Sequence, residues 1–173
     1  VSRFLFFVGA VLAGFLVPWS EEIIGLLLGA PYAGGSPVLA LMLVHAAFVS
    51  LAQINGSMLF ATSKTKMHLV LGCIFMGVSI PGSYFILAPE DAWLPGLGLG
   101  SFGLAVKMNL FVILHVNIVS WWIARSHGWK FDWVYQVVAL SGALSLGWLS
   151  FELMAFLNAF LHMNLFFKFC ATF

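Results

Sequence analysis

Charge is what this sequence has least of. Asp, Glu, Lys and Arg make up 8% of the 173 residues while 62% are hydrophobic, and the mean hydropathy is +1.07. A soluble domain carries roughly 25% charged residues, so water is excluded as the main solvent. Seven basic residues against six acidic ones leave a formal charge of +1. That balance excludes a nucleic-acid footprint and an acidic interaction tail. Cysteine is scarce as well: Cys73 and Cys170 both fall inside apolar runs, where they read as buried thiols, with no disulfide or metal pair expected. Also missing are metal-ligand spacings, a Gly-rich phosphate loop, paired carboxylates within one span and a Gly-x-Ser-x-Gly elbow. No enzyme, metal or cofactor is therefore expected. Glu90-Asp91 is the one outward loop pair that could act as acid or base, and such a pair is more often a solvated loop.

What the chain has in quantity is long apolar runs. Crossing ~30 Å of hydrocarbon takes roughly 20 apolar residues in helical form, because every backbone N–H and C=O must be paired internally. The expectation is an all-α, polytopic transmembrane bundle of about six helices. The spans are placed at 4–28 with a kink at Pro18, 36–61, 66–88 bent near Pro81-Gly82, 98–125, 131–149 and 151–168. Gly147, Ser150 and Glu152 give a weak break signal between the last two. Length argues for that break, since one straight helix over 131–173 would run ~60 Å at 1.5 Å per residue. Arg3 and the apolar run to Val17 imitate a signal peptide, but no small-x-small cleavage site follows. A piece of a longer chain explains the opening Val better.

Basic residues collect at cytoplasmic ends. With six spans, Arg3, Lys64 with Lys66, Arg125 with Lys130, and Lys168 all fall on one side, which should be cytoplasmic. Glu21, Glu22, Glu90, Asp91 and Glu152 fall on the other side, and Asp132 is the lone acid on the basic side. All seven tryptophans lie near predicted ends, as the amphipathic indole prefers.

Lys107 is the only basic residue within a predicted span, ~13 Å along the axis from the Gly98 end. It either faces a water-filled cavity and offers its ammonium to an anionic ligand, or snorkels toward the outer interface as an anchor. The same span carries Asn109, His115 and Asn117, and the second span carries His45, Gln53 and Asn55. At ~100° per residue Lys107, His115 and Asn117 spread over a broad face with Asn109 opposite, so no narrow polar stripe exists. Interhelical hydrogen bonding is the commoner use of such groups, and Asn158 with His162 read the same way. The candidate ligand contacts are Lys107, His115, Asn117, His45 and Asn55. Gly96, Gly98, Gly100 and Gly103 with Ala105 permit close helix approach, or form a flexible start to the helix for a bundle that rocks.

Read in order, Pro18, Glu22-Ile23-Ile24, the run to Gly29, Tyr32-Ala33 and Pro37-Val38-Leu39 form a pattern. It continues with Leu59-Phe60-Ala61, the basic loop Ser63-Lys64-Thr65-Lys66, then Gly98-Leu99-Gly100 and Gly103-Leu104-Ala105. Over roughly 10–125 this resembles the polysaccharide (O-antigen type) flippases of the multidrug/oligosaccharidyl-lipid/polysaccharide exporter superfamily. The resemblance implies two lobes of six helices. Residues 1–125 would be later helices of the second lobe, 126–173 a C-terminal helix pair, and the N-terminal lobe a missing partner. It implies alternating-access transfer of a polyprenyl-diphosphate-linked oligosaccharide across a bacterial inner membrane for surface polysaccharide, with membrane lipids around it and no nucleic acid. No motif of that family fixes a lysine at position 107. A cation-coupled drug exporter of the same superfamily would need an acid within the bundle, for which Glu21 and Glu22 are the nearest candidates. A non-transporting membrane scaffold would share the hydrophobicity and topology.

Overall fold

The computed structural model describes residues 2–170, with side chains through Phe160. The described chain is helical: α1 Ser2–Leu16, α2 Ser20–Leu27, α3 Ser36–Ala61, α4 Thr65–Leu87, α5 Gly100–Ser126 and α6 Val134–Cys170. Proline and glycine mark the joints. Pro18 lies in a short 3-10 turn, Val17–Trp19, that links α1 to α2. Gly29, at φ +92, turns the chain into a second 3-10 segment, Ala30–Gly35, and Pro37 sits in the first turn of α3, where its missing N–H is no loss. Pro89 follows Ala88, the C-cap residue of α4. The loop then folds back so that Leu97, Gly98 and Leu99 donate to the carbonyls of Phe85, Ala88 and Ile86 at 2.8–3.0 Å, pairing carbonyls the helix end leaves open.

Among the described residues five helical stretches are long and apolar enough to cross a membrane: Ser2–Leu27, Ala30–Ala61, Thr65–Leu87, Gly100–Ser126 and Val134–Phe160. The expected pair after residue 125 is a single helix, α6, which runs through Gly147, Ser150 and Glu152 without a break. Ser150 Oγ donates to the Gly147 carbonyl at 2.7 Å, so the residues that read as a break are held inside the helix. At 1.5 Å per residue α6 is ~55 Å long. It carries the chain away from the end that holds Arg3, Lys64, Lys66, Arg125 and Lys130. Lys168 thus falls at the far end of α6 and not beside those residues, and its side chain, like those of His162 and Cys170, lies outside the described residues.

The core is assembled from α1, α3, α5 and α6. Phe6, Ala10, Ala47, Phe48, Leu51, Val116 and Ala143 are buried together, with the rings of Phe6 and Phe48 5.3 Å apart. Leu59, Val119 and Ile123 extend the α3–α5 seam toward the basic end. Helices α1 and α6 run parallel: Tyr135 Oη donates to the Arg3 carbonyl, Gly14 meets Ala143, and Trp19 stacks edge-on against Phe151. Small residues make this possible. A Cβ on Gly14 would lie 2.9 Å from the Leu144 nitrogen, and one on Gly147 would lie 3.2 Å from the Phe15 nitrogen and closer still to the Gly14 carbonyl. Without a hydrophobic drive between helices in lipid, such backbone approach and the dispersion contacts it permits are the main source of cohesion.

Helix α4 is different, because none of its residues is buried. Leu69, Ile74, Met76 and Ile80 project outward, as they do where the surrounding medium is as apolar as the side chains. Cys73, expected to be buried, is exposed on this helix. Apolar neighbours in sequence indicate burial only when the outside is water. The indole N–H of Trp19, expected to be wet, is buried without a partner among the described residues.

Candidate functional site

Lys107 lies seven residues into α5, ~10 Å from the helix start, and its residue is only 7% exposed. The ammonium turns toward α4, where it donates to Ser79 Oγ at 2.5 Å and Ser83 Oγ at 2.7 Å. Ser79 and Ser83 stand four apart, so helical geometry sets both hydroxyls on one face of α4. Ser83 Oγ donates its own proton to the Ser79 carbonyl at 2.9 Å, which leaves its lone pairs for the lysine. The Phe111 ring, one turn further along α5, lies 5.0 Å from Nζ and adds a cation–π contact.

No carboxylate meets this ammonium: among the described residues the only ion pair is Arg3–Asp132 at 3.0 Å. The lysine therefore has hydroxyl and aromatic partners but no counter-charge. It lines a cleft of about 600 Å³ between α3, α4 and α5. His45 enters from α3 and His115 from α5, two turns beyond Lys107. His45 Nδ1 is buried with no hydrogen-bond partner among the described residues. His115 packs edge-on against Phe75 at 4.9 Å between ring centres. Phe75, Phe111 and Met108 supply apolar wall. The arrangement can accept an anionic group at Lys107, hydrogen-bond it through the serines and imidazoles, and shelter an apolar portion beside it.

Of the five expected contacts, the fold brings together Lys107, His45 and His115, and it places Asn55 and Asn117 elsewhere. Asn55 is buried in the α3–α5 seam, where Nδ2 donates to Ser120 Oγ at 2.7 Å and to the Val116 carbonyl at 3.3 Å. It borders a smaller cavity of about 190 Å³ near the basic end, together with Gln136 and Ser120. Asn117 donates to the Ile113 carbonyl of its own helix at 2.8 Å. Asn109 is a second α3–α5 tie, donating at 3.0 Å to the Leu41 and Ala105 carbonyls. Ser79, Ser83 and Phe75 were not expected at the site. Their signal was present as a Ser-x-x-x-Ser pair around Pro81 in an otherwise apolar span.

Fold and cleft together define a helical bundle of membrane-crossing lengths with a buried cation that meets no carboxylate among the described residues. No family model, curated protein or solved structure matches the chain.

Proposed function

We propose that this chain works as part of a bacterial inner-membrane transporter that moves a polyprenyl-diphosphate-linked oligosaccharide between leaflets by alternating access, acting with an N-terminal lobe. The observation that carries the reading is Lys107: a cation buried in a helical bundle, held by two serines and a phenyl ring, with no acid to neutralise it among the described residues. A charge in a low-dielectric interior is costly unless it is paired. A diphosphate or acidic sugar supplies the opposite charge, and the apolar wall of the cleft suits the adjoining lipid. His45 and His115 line the same cleft and offer further hydrogen bonds to the anionic head. A cation-coupled drug exporter is disfavoured, because no Asp or Glu lines the cleft among the described residues and Glu21 and Glu22 are exposed in the first turn of α2.

The test is complementation. A full-length parent containing this segment is expected to restore surface carbohydrate to a flippase-deficient cell. Lys107→Ala should lower that restoration about tenfold or more at unchanged membrane abundance. Wild-type export by the variant sinks the assignment of Lys107, and failure of the parent itself favours a scaffold.

A further inference from the structure

A separate feature lies at the basic end, away from the cleft. Helix α5 carries Arg125 in its last turn, and the chain then reverses sharply. Gly128 adopts φ +67, the left-handed region that a residue without Cβ enters freely. The reversal lets the Trp129 N–H donate to the Ala124 carbonyl at 2.8 Å, alongside His127 N–H to Ile123 at 3.1 Å. The return path sets Trp129 and Phe131 beside Trp121 and brings up Trp133 ahead of α6. Together they wall a bay of about 520 Å³ with Arg125 as its charged member.

The guanidinium lies 5.4 Å from the Trp121 ring centre and has no carboxylate partner among the described residues, since Asp132 is engaged by Arg3. Trp121, Trp129 and Trp133 each expose about half of their surface or more. An exposed aromatic wall around an unneutralised guanidinium, at the end where Lys64, Lys66 and Lys130 also gather, calls for a ligand that is anionic at one end and apolar at the other.

We infer that this bay binds the headgroup of an anionic glycerophospholipid, with the phosphate diester on Arg125 and an acyl chain along Trp121 and Trp133. A quaternary ammonium does not fit, because the cation is already present in the bay and occupies the Trp121 face. Free phosphate would leave the aromatic walls without a partner. The bay is independent of the Lys107 cleft and of any transport reading.

The experiment is native mass spectrometry of the full chain in detergent, titrated with phosphatidylglycerol and with phosphatidylcholine of the same acyl chains. A basic side chain at an anionic lipid surface gives a preference of about fivefold. Phosphatidylglycerol should bind tighter by about that factor, Arg125→Gln should erase the preference, and Lys66→Gln at the same end should leave it. Arg125 is exposed and makes no hydrogen bond to the described chain, so the variant is expected to keep the wild-type melting temperature. Trp133→Leu should weaken both lipids alike. Equal binding of the two lipids, an unchanged preference in Arg125→Gln, or displacement of phosphatidylglycerol by millimolar inorganic phosphate would each overturn the assignment.

Discussion

Two helix pairs in this bundle are joined in opposite ways. Along α1–α6 the contact is backbone on backbone, made by Gly14, Ala143 and Gly147 with no polar side chain between them at the crossing. Along α4–α5 the helices meet through side chains, Lys107 to Ser79 and Ser83 and the ring of Phe75 against Phe111 and His115. One seam fills its space and the other borders an open cleft. Dense packing has few alternative arrangements, whereas hydroxyl–ammonium bonds exchange readily for another oxygen ligand. Cohesion thus belongs to the first seam and the proposed ligand contacts to the second.

The sharpest way to break this comparison is to overfill the first seam. Gly147→Leu forces side-chain atoms into the Gly14 backbone and should cost about 3 kcal/mol, the upper end for overpacking. Unfolding in graded detergent mixtures measures it, and a wild-type midpoint would show that the close approach does not hold the bundle. In the second seam, Lys107→Met should leave stability within about 1 kcal/mol, because the lost hydroxyl bonds are offset by removing the desolvation cost of an unpaired buried ammonium. Its export should nonetheless fall, so a loss of stability equal to that of Gly147→Leu would make Lys107 a structural tie. Arg3→Ala removes an ion pair whose side chains are 64% and 41% exposed, and should change the same midpoint by no more than about 0.5 kcal/mol.

The sequence carried the spans better than the contacts between them. The first four expected spans end within two residues of the observed stretches, apart from the 3-10 lead-in to α3, because the length of an apolar run is set by the medium it must cross. Where the run contained Gly147, Ser150 and Glu152, the same reasoning placed a break that α6 does not have. Gly147 is there for Gly14, a contact made across most of the chain and invisible to local pattern. Lys107 was legible because a lone cation in an apolar span stands out. Ser79 and Ser83 were not, because serine is common in such helices and gains meaning only when α4 is set against α5. Asn55 and Asn117 were read as possible ligand contacts from residue type alone; they lie away from the Lys107 cleft, Asn55 on Ser120 Oγ and the Val116 carbonyl and Asn117 on the Ile113 carbonyl, with Asn117 Oδ1 buried and unpartnered among the described residues.

The register of α1 against α6 also fixes an order of events. Arg3 and Tyr135 touch across 132 residues, and at 5–20 residues per second a ribosome takes roughly 7–26 s to make that length. For all of that interval the small-residue face of α1 has no α6 to meet, and once α3 is made, Ala47 lies against Gly9 on α1. Among the described helices α6 is the last in chain order, and quality control that samples nascent chains would find Gly14 accessible until it arrives.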